Sequence, residues 1–148
     1  MRSAYLEPNS GAGGYQAPCQ KIKAAITLTA DTDSGKTYLL DSAGGAYTIT
    51  LPTATTAMDG TNYKFWVEEH TPTAAITIAA GSAIVFGKIN ETEVDTGDDS
   101  PGSSAATGVS NVIIGTSAHK GDFIEMTFSG GAYWMFGSSA ADGAVTTS

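Results

Sequence analysis

Residues 31–40 read DTDSGKTYLL, and Gly35, Lys36 and Thr37 match the last three positions of a phosphate-binding P-loop. That motif also needs an earlier glycine, separated by four residues from the Gly-Lys pair's own glycine, and a helix directly after it whose N-terminal amides hold the phosphates. The earlier position is Ala30, whose Cβ would crowd the phosphate approach. Tyr38, Leu39 and Leu40 then run into the Gly44-Gly45 turn, which reads as a short strand and not a helix. No nucleotide site is expected here. The three letters make a turn.

Other residues with chemical potential are few. His70 and His119 are the only histidines, far apart in the chain. No G-x-S-x-G elbow, H-E-x-x-H pair or paired-cysteine spacing accompanies them. Cys19 is the single cysteine, so it forms no disulfide within the chain and no multi-thiolate metal site. It sits in a Pro/Gly-rich leader without a nearby histidine and reads as a plain free thiol in a reducing compartment. Nothing assembles a nucleophile, a base and an oxyanion hole. The expectation is a protein that is not an enzyme and needs no cofactor.

Two groups remain. The segment NETEVDTGDDSPG carries Glu91, Glu93, Asp95, Asp98 and Asp99, enough oxygens to wrap a hard cation such as Ca²⁺. Its spacing does not follow the EF-hand loop, and the expected reading is a solvated acidic loop, turning at Gly97 and Pro101, exposed or set at a contact between subunits. Trp66, Tyr133, Trp134 and Phe136 could form a carbohydrate-stacking platform on an exposed sheet face. Aromatics in strands bury large areas, so these four are expected in the core.

The elements that position these residues lie in a chain of 148 residues, long enough for one compact domain. The formal charge is −8, and only 15% of the residues are charged. Gly, Ala, Ser and Thr fill the gap, a composition that suits strands and tight turns better than surface helices. The basic residues Arg2, Lys21, Lys23, Lys36, Lys64, Lys88 and Lys120 are scattered, so neither nucleic acid nor an anionic membrane is an expected partner. No apolar run reaches the roughly 18 residues that a membrane helix needs. The N-terminal stretch shows no apolar signal-peptide core, and synthesis in a cytoplasm is expected.

Residues 1–22 read as an extended arm in which Tyr5, Leu6 and Tyr15 are large apolar anchors for a partner. From residue 23 a period of two takes over. Ile26 and Leu28 alternate with threonines, and Tyr47, Ile49 and Leu51 do the same until Pro52 stops the ladder. The runs flanking the Gly44-Gly45 turn read as a β-hairpin. Tyr63, Phe65 and Val67 share one face, as do Ile76 and Ile78, and Ile124, Met126 and Phe128. AIVFGKI reads as a strand buried on both faces. A polar excursion is expected from Asn90 to about Gly108, and a hairpin turn at Gly130-Gly131. Eight or nine strands with no helix predict an all-β domain over 23–138. It would be an antiparallel sandwich or barrel, jelly-roll-like or another Greek key, followed by a polar tail over 139–148.

Residues 26–69, ITLTADTDSGKTYLLDSAGGAYTITLPTATTAMDGTNYKFWVEE, resemble a segment of virion structural proteins of tailed bacteriophages. There a strand leads to D-S-G-K-T-Y-x-L-D, a Gly-containing turn, an alternating strand closed by L-P, and a strand like Y-K-F-x-V. INETEVDTGDD and GAYWMFG resemble the same proteins. The resemblance spans residues 24–137. It implies a capsid decoration (cement) protein made in the host cytoplasm and seated on the outer capsid surface. There it would act as a homotrimer bracing the major capsid protein. The related alternative is a head-fibre or tail-fibre module that binds a host-surface glycan or protein. Tyr5, Leu6 and Tyr15 would then be capsid or partner contacts, and the acidic loop an inter-subunit or exposed lobe.

Overall fold

The computed structural model describes residues 19–92 and 103–148. The anchors Tyr5, Leu6 and Tyr15, and the loop acids Glu93, Asp95, Asp98 and Asp99, lie outside the described residues. In chain order the elements are β1 (Cys19–Ile22), β2 (Ile26–Thr27), a one-turn helix α1 (Ala30–Asp33), β3 (Thr37–Leu40), β4 (Tyr47–Thr50), β5 (Asn62–Val67) and β6 (Ile76–Ala79). There follow β7 (Ile84–Glu91), β8 (Ser103–Val109), β9 (Asn111–Ile114), β10 (Phe123–Ser129), β11 (Ala132–Ser139) and β12 (Val145–Thr147). The fold is all-β, as the alternating pattern predicts.

The strands form two sheets. One has seven strands in the order β1-β3-β5-β10-β11-β7-β8, and the other five in the order β12-β9-β6-β4-β2. The inward residues of both sheets join one buried cluster, in which Tyr38, Phe65, Tyr63 and Tyr133 come from the larger sheet and Ile49, Ile76, Ile78 and Ile114 from the smaller. The alternation reads directly into this cluster. Tyr63, Phe65 and Val67 are buried while Lys64 and Trp66 between them are exposed.

The pairing departs from the antiparallel expectation. β1-β3, β3-β5, β2-β4, β4-β6 and β7-β11 are parallel pairs, so both sheets are mixed. The runs on either side of Gly44-Gly45 form no hairpin, because β3 lies in the larger sheet and β4 in the smaller. From β1 to β7 the chain changes sheet at every strand. A period of two settles which face a side chain takes, and both pairings satisfy that equally well. The expected turn at Gly130-Gly131 does close a hairpin. Both glycines have positive φ (61° and 85°), and Ser129 pairs with Ala132 across a two-residue loop.

Three segments carry more structure than expected. Residues 19–22 of the arm form β1 against β3. The polar excursion is shorter, since β7 runs to Glu91 and β8 begins at Ser103. Past residue 139, Ala141, Ala144 and Val145 are buried, and β12 pairs with β9. Small residues such as these carry little hydrophobic signal in sequence, yet they fit where two sheets come close. β7 is also not buried on both faces, because Ile84 and Lys88 point to solvent.

The P-loop-like letters make the turn expected of them. Thr29 caps α1, Gly35 turns the chain, and Thr37 opens β3. Lys36 Nζ lies 2.8 Å from Asp33 Oδ1, and the Thr29 amide and the Tyr38 hydroxyl also donate to the Asp33 carboxylate (2.8 and 3.2 Å). Burial pushes that carboxyl up, but the three donors outweigh it and hold it down at about 2. A carboxyl whose folded value lies below its ordinary one stabilises the protein above the ordinary value. That contribution is lost as pH falls through the folded value. Asp33→Asn is therefore expected to flatten the stability-pH curve between about pH 4 and pH 2, by about 1–2 kcal/mol after allowance for solvent screening. Urea unfolding at a series of acid pH values measures it, and an unchanged slope would remove Asp33 from the account.

Candidate functional site

The side chains that stand out lie on the outer face of the seven-stranded sheet. Trp134 is 55% exposed, Phe136 48% and Trp66 38%, although strand aromatics usually turn inward. Of the four aromatics expected in the core only Tyr133 is there, fully buried, with its hydroxyl donating to the Pro52 carbonyl at 2.9 Å. Burial pushes that phenol up to about 12. The correction for the other three follows from alternation. In β11, Tyr133 and Met135 point into the core, so Trp134 and Phe136 must point out.

Register assembles these rings across four neighbouring strands. Trp66 of β5 stands opposite Phe123 of β10, and their rings stack with centroids 5.2 Å apart. Phe123 in turn lies 6.3 Å from Phe136 of β11. On the other side of Phe136 along the same strand, Trp134 stacks at 5.6 Å on Phe86 of β7, its partner in register. Strand spacing of about 4.8 Å and a rise of about 3.3 Å per residue spread this stripe over about 15 Å. Phe86 and Phe123 were not among the sequence candidates. Their signal was the same alternation, since Phe86 follows the buried Val85 and Phe123 precedes the buried Ile124.

Polar groups run through the stripe. Lys64 and Glu125, register partners on β5 and β10, form a 3.0 Å ion pair beside Phe136. Lys88 of β7 is the register partner of Phe136 on its other side, exposed, and among the described residues no carboxylate pairs with it. Trp134 is fixed by its indole N–H, which donates to the Ser129 carbonyl at 3.1 Å. Phe86 lies over the bare backbone of Gly108 in β8, the nearest ring atoms 3.6 Å from where a Cβ would sit. The rings are thus presented and held, with hydrogen-bonding groups between them.

The remaining candidates do not converge on a reaction. His70 and His119 meet in space, rings edge-on with centroids 6.5 Å apart. The nearby Asp122 accepts from the His119 amide (2.8 Å), the Ala140 amide (2.8 Å) and the Ser139 hydroxyl (3.0 Å). Ser139 Oγ is buried and gives its proton to a carboxylate instead of an imidazole, so these residues form no nucleophile relay. Glu91, expected in an exposed loop, is 3% exposed at the end of β7. Cys19 is exposed in β1. Among the described residues no three His, Cys, Asp or Glu side chains gather as metal ligands. An open cleft of about 350 Å³ lies by β2 on the other sheet, lined by Leu28, Leu51, Pro52 and several threonines, away from the stripe. No protein-family model matches the chain, and a search among curated proteins finds no relative.

Proposed function

We propose that the protein is a virion-surface module of a tailed bacteriophage that works by adhesion, with the outer face of its seven-stranded sheet as the adhesive surface. The two sheets are read as the layers of a β-sandwich whose mixed pairing sets it apart from an antiparallel jelly roll. The observation that carries the functional reading is the exposure of Trp66, Trp134 and Phe136 in one stripe. Exposed aromatics fixed on a rigid sheet are anchors, because they offer large contact area at small entropic cost.

The resemblance offers two forms of this role. One is a capsid decoration protein, a homotrimer whose stripe seats on the major capsid protein. The other is a head-fibre or tail-fibre module whose stripe holds a host-surface glycan or protein. The ion pair of Lys64 and Glu125 inside the stripe favours the second form with a glycan as its ligand. The core of a protein-protein contact is depleted in charge, whereas a sugar needs polar groups beside the ring on which it stacks.

The test uses the purified chain and its Trp134→Ala/Phe136→Ala variant, added to decoration-free capsids and to host cells. Loss of both rings is expected to weaken attachment at least tenfold, with the urea midpoint shifted little. Equal attachment of variant and parent to both targets would sink the reading. The copy number in purified virions, set against the major capsid protein, then separates the two forms. Near-equal numbers mean decoration, and a handful per particle a fibre.

A further inference from the structure

The aromatic stripe has a polarity that narrows its ligand, and the inference drawn from it rests on the stripe being the adhesive surface. The protein carries a formal charge of −8, so an acidic ligand is repelled by the molecule as a whole. On this face, however, the described charges near Phe136 are Lys64, Glu125 and Lys88. Lys64 is neutralised by Glu125 at 3.0 Å, and among the described residues Lys88 remains as the surplus cation beside an exposed ring. Opposite charges on one sheet face usually pair across strands, as Lys64 and Glu125 do. Lys88 follows no such pattern: Asn90 lies beyond it on its own strand, Phe136 beside it on β11 and Ala105 beside it on β8.

We propose that the stripe binds an acidic glycan, a saccharide bearing carboxylates, whose sugar faces stack on Trp134 and Phe136 and whose carboxylate meets Lys88. The occupant is argued from charge complementarity. Among the described residues no carboxylate pairs with Lys88, so an acidic saccharide gains an ion pair there that a neutral one does not, and an apolar protein surface would have to desolvate the ammonium together with the Lys64–Glu125 pair. An acidic sugar satisfies both features of the face at once: a ring to stack on and a cation to answer. The two stacked aromatic pairs, bridged by Phe136, give room for several linked sugar units and not for a single one.

Both tryptophans of the chain, Trp66 and Trp134, stand in the stripe, so tryptophan emission, excited apart from the tyrosines, reports on this face. The full chain is titrated with alginate oligomers and with oligomers of α2,8-linked sialic acid, against cello-oligosaccharides of the same length. At least one acidic series is expected to shift the tryptophan emission. Its apparent affinity should fall severalfold between about 50 and 300 mM salt, where screening lengths shorten. Lys88→Ala is expected to weaken it at least tenfold, Lys88→Arg to restore most of it, and Lys120→Ala, at an exposed lysine off the sheet, to change nothing.

Failure of every acidic series to move the emission overturns the inference, as does binding of neutral and acidic series alike. Full affinity of Lys88→Ala overturns it too. If cello-oligosaccharides or decoration-free capsids shift the emission while the acidic series do not, the stripe is still the adhesive surface and only its ligand class is wrong. If no ligand shifts it and the Trp134→Ala/Phe136→Ala variant attaches like the parent, both readings fall.

Discussion

Gly87→Ala is expected to lower the stability of the domain by about 3–5 kcal/mol, from backbone strain and forced displacement together. Gly87 has φ of 140°, a region that side chains rarely enter. It is the register partner of Met135 in the parallel pair of β7 and β11, and a Cβ built on it would lie 1.9 Å from the Met135 carbonyl oxygen. Backbone cannot yield as a flexible side-chain end can, so the two strands must separate. For a domain of this size the melting temperature should fall by about 10 °C or more. Gly121→Ala is the comparison, since φ there is 99° but no atom lies within 4 Å of the new Cβ. It carries the strain without the collision and should cost only about 1–2 kcal/mol. Equal losses in the two variants by urea unfolding would mean that contact with Met135 is not what forbids the side chain.

Asp122→Ala is the second large effect, about 3–5 kcal/mol. Asp122 is 6% exposed, and its carboxylate accepts from the His119 amide, the Ala140 amide and the Ser139 hydroxyl. Hydrogen bonds to a charged acceptor contribute about 1.5–3 kcal/mol each, and removing the acceptor leaves buried donors without a partner. These bonds tie the turn before β10 to the end of β11, so their loss should also free the C-terminal segment that leads to β12. Asp122→Asn keeps the shape and one carbonyl acceptor, and should lose roughly half as much. The two variants are compared by thermal unfolding, with amide exchange at Val145–Thr147 as a local reporter. Losses below about 1 kcal/mol in Asp122→Ala would show that water satisfies the three donors.

Much of the core was legible from alternation alone. Tyr47, Ile49 and Leu51, then Tyr63, Phe65 and Val67, then Ile124, Met126 and Phe128, all take the inward positions that a period of two assigns them. Partner and direction were not legible, because a strand shows the same alternation beside a parallel or an antiparallel neighbour. Trp66 illustrates a conflict between two rules. Its place between Phe65 and Val67 pointed outward, while its size argued for the core, and position prevailed over size. In β11 both faces carry large rings and all were expected in the core, but alternation admits one face only, and Tyr133 takes it with its hydroxyl on the Pro52 carbonyl. Lys88 carried no signal of its own. Its meaning comes from Phe136, 48 positions away in sequence and adjacent only in the sheet.

The route by which the chain changes sheet at every strand from β1 to β7 has a kinetic side. Among the described strands, neighbours in sequence pair directly only at β7-β8 and β10-β11. Every other pairing closes a loop around at least one whole strand of the opposite layer, and that entropy is spent before the contacts form. As the chain leaves the ribosome, β5 waits for β10, more than fifty residues later, before its second neighbour exists. Folding is therefore a late and collective event, slow in the manner of chains dominated by distant pairings. The tight β10-β11 turn is its natural starting point, and that hairpin carries Trp134, Phe136 and Phe123.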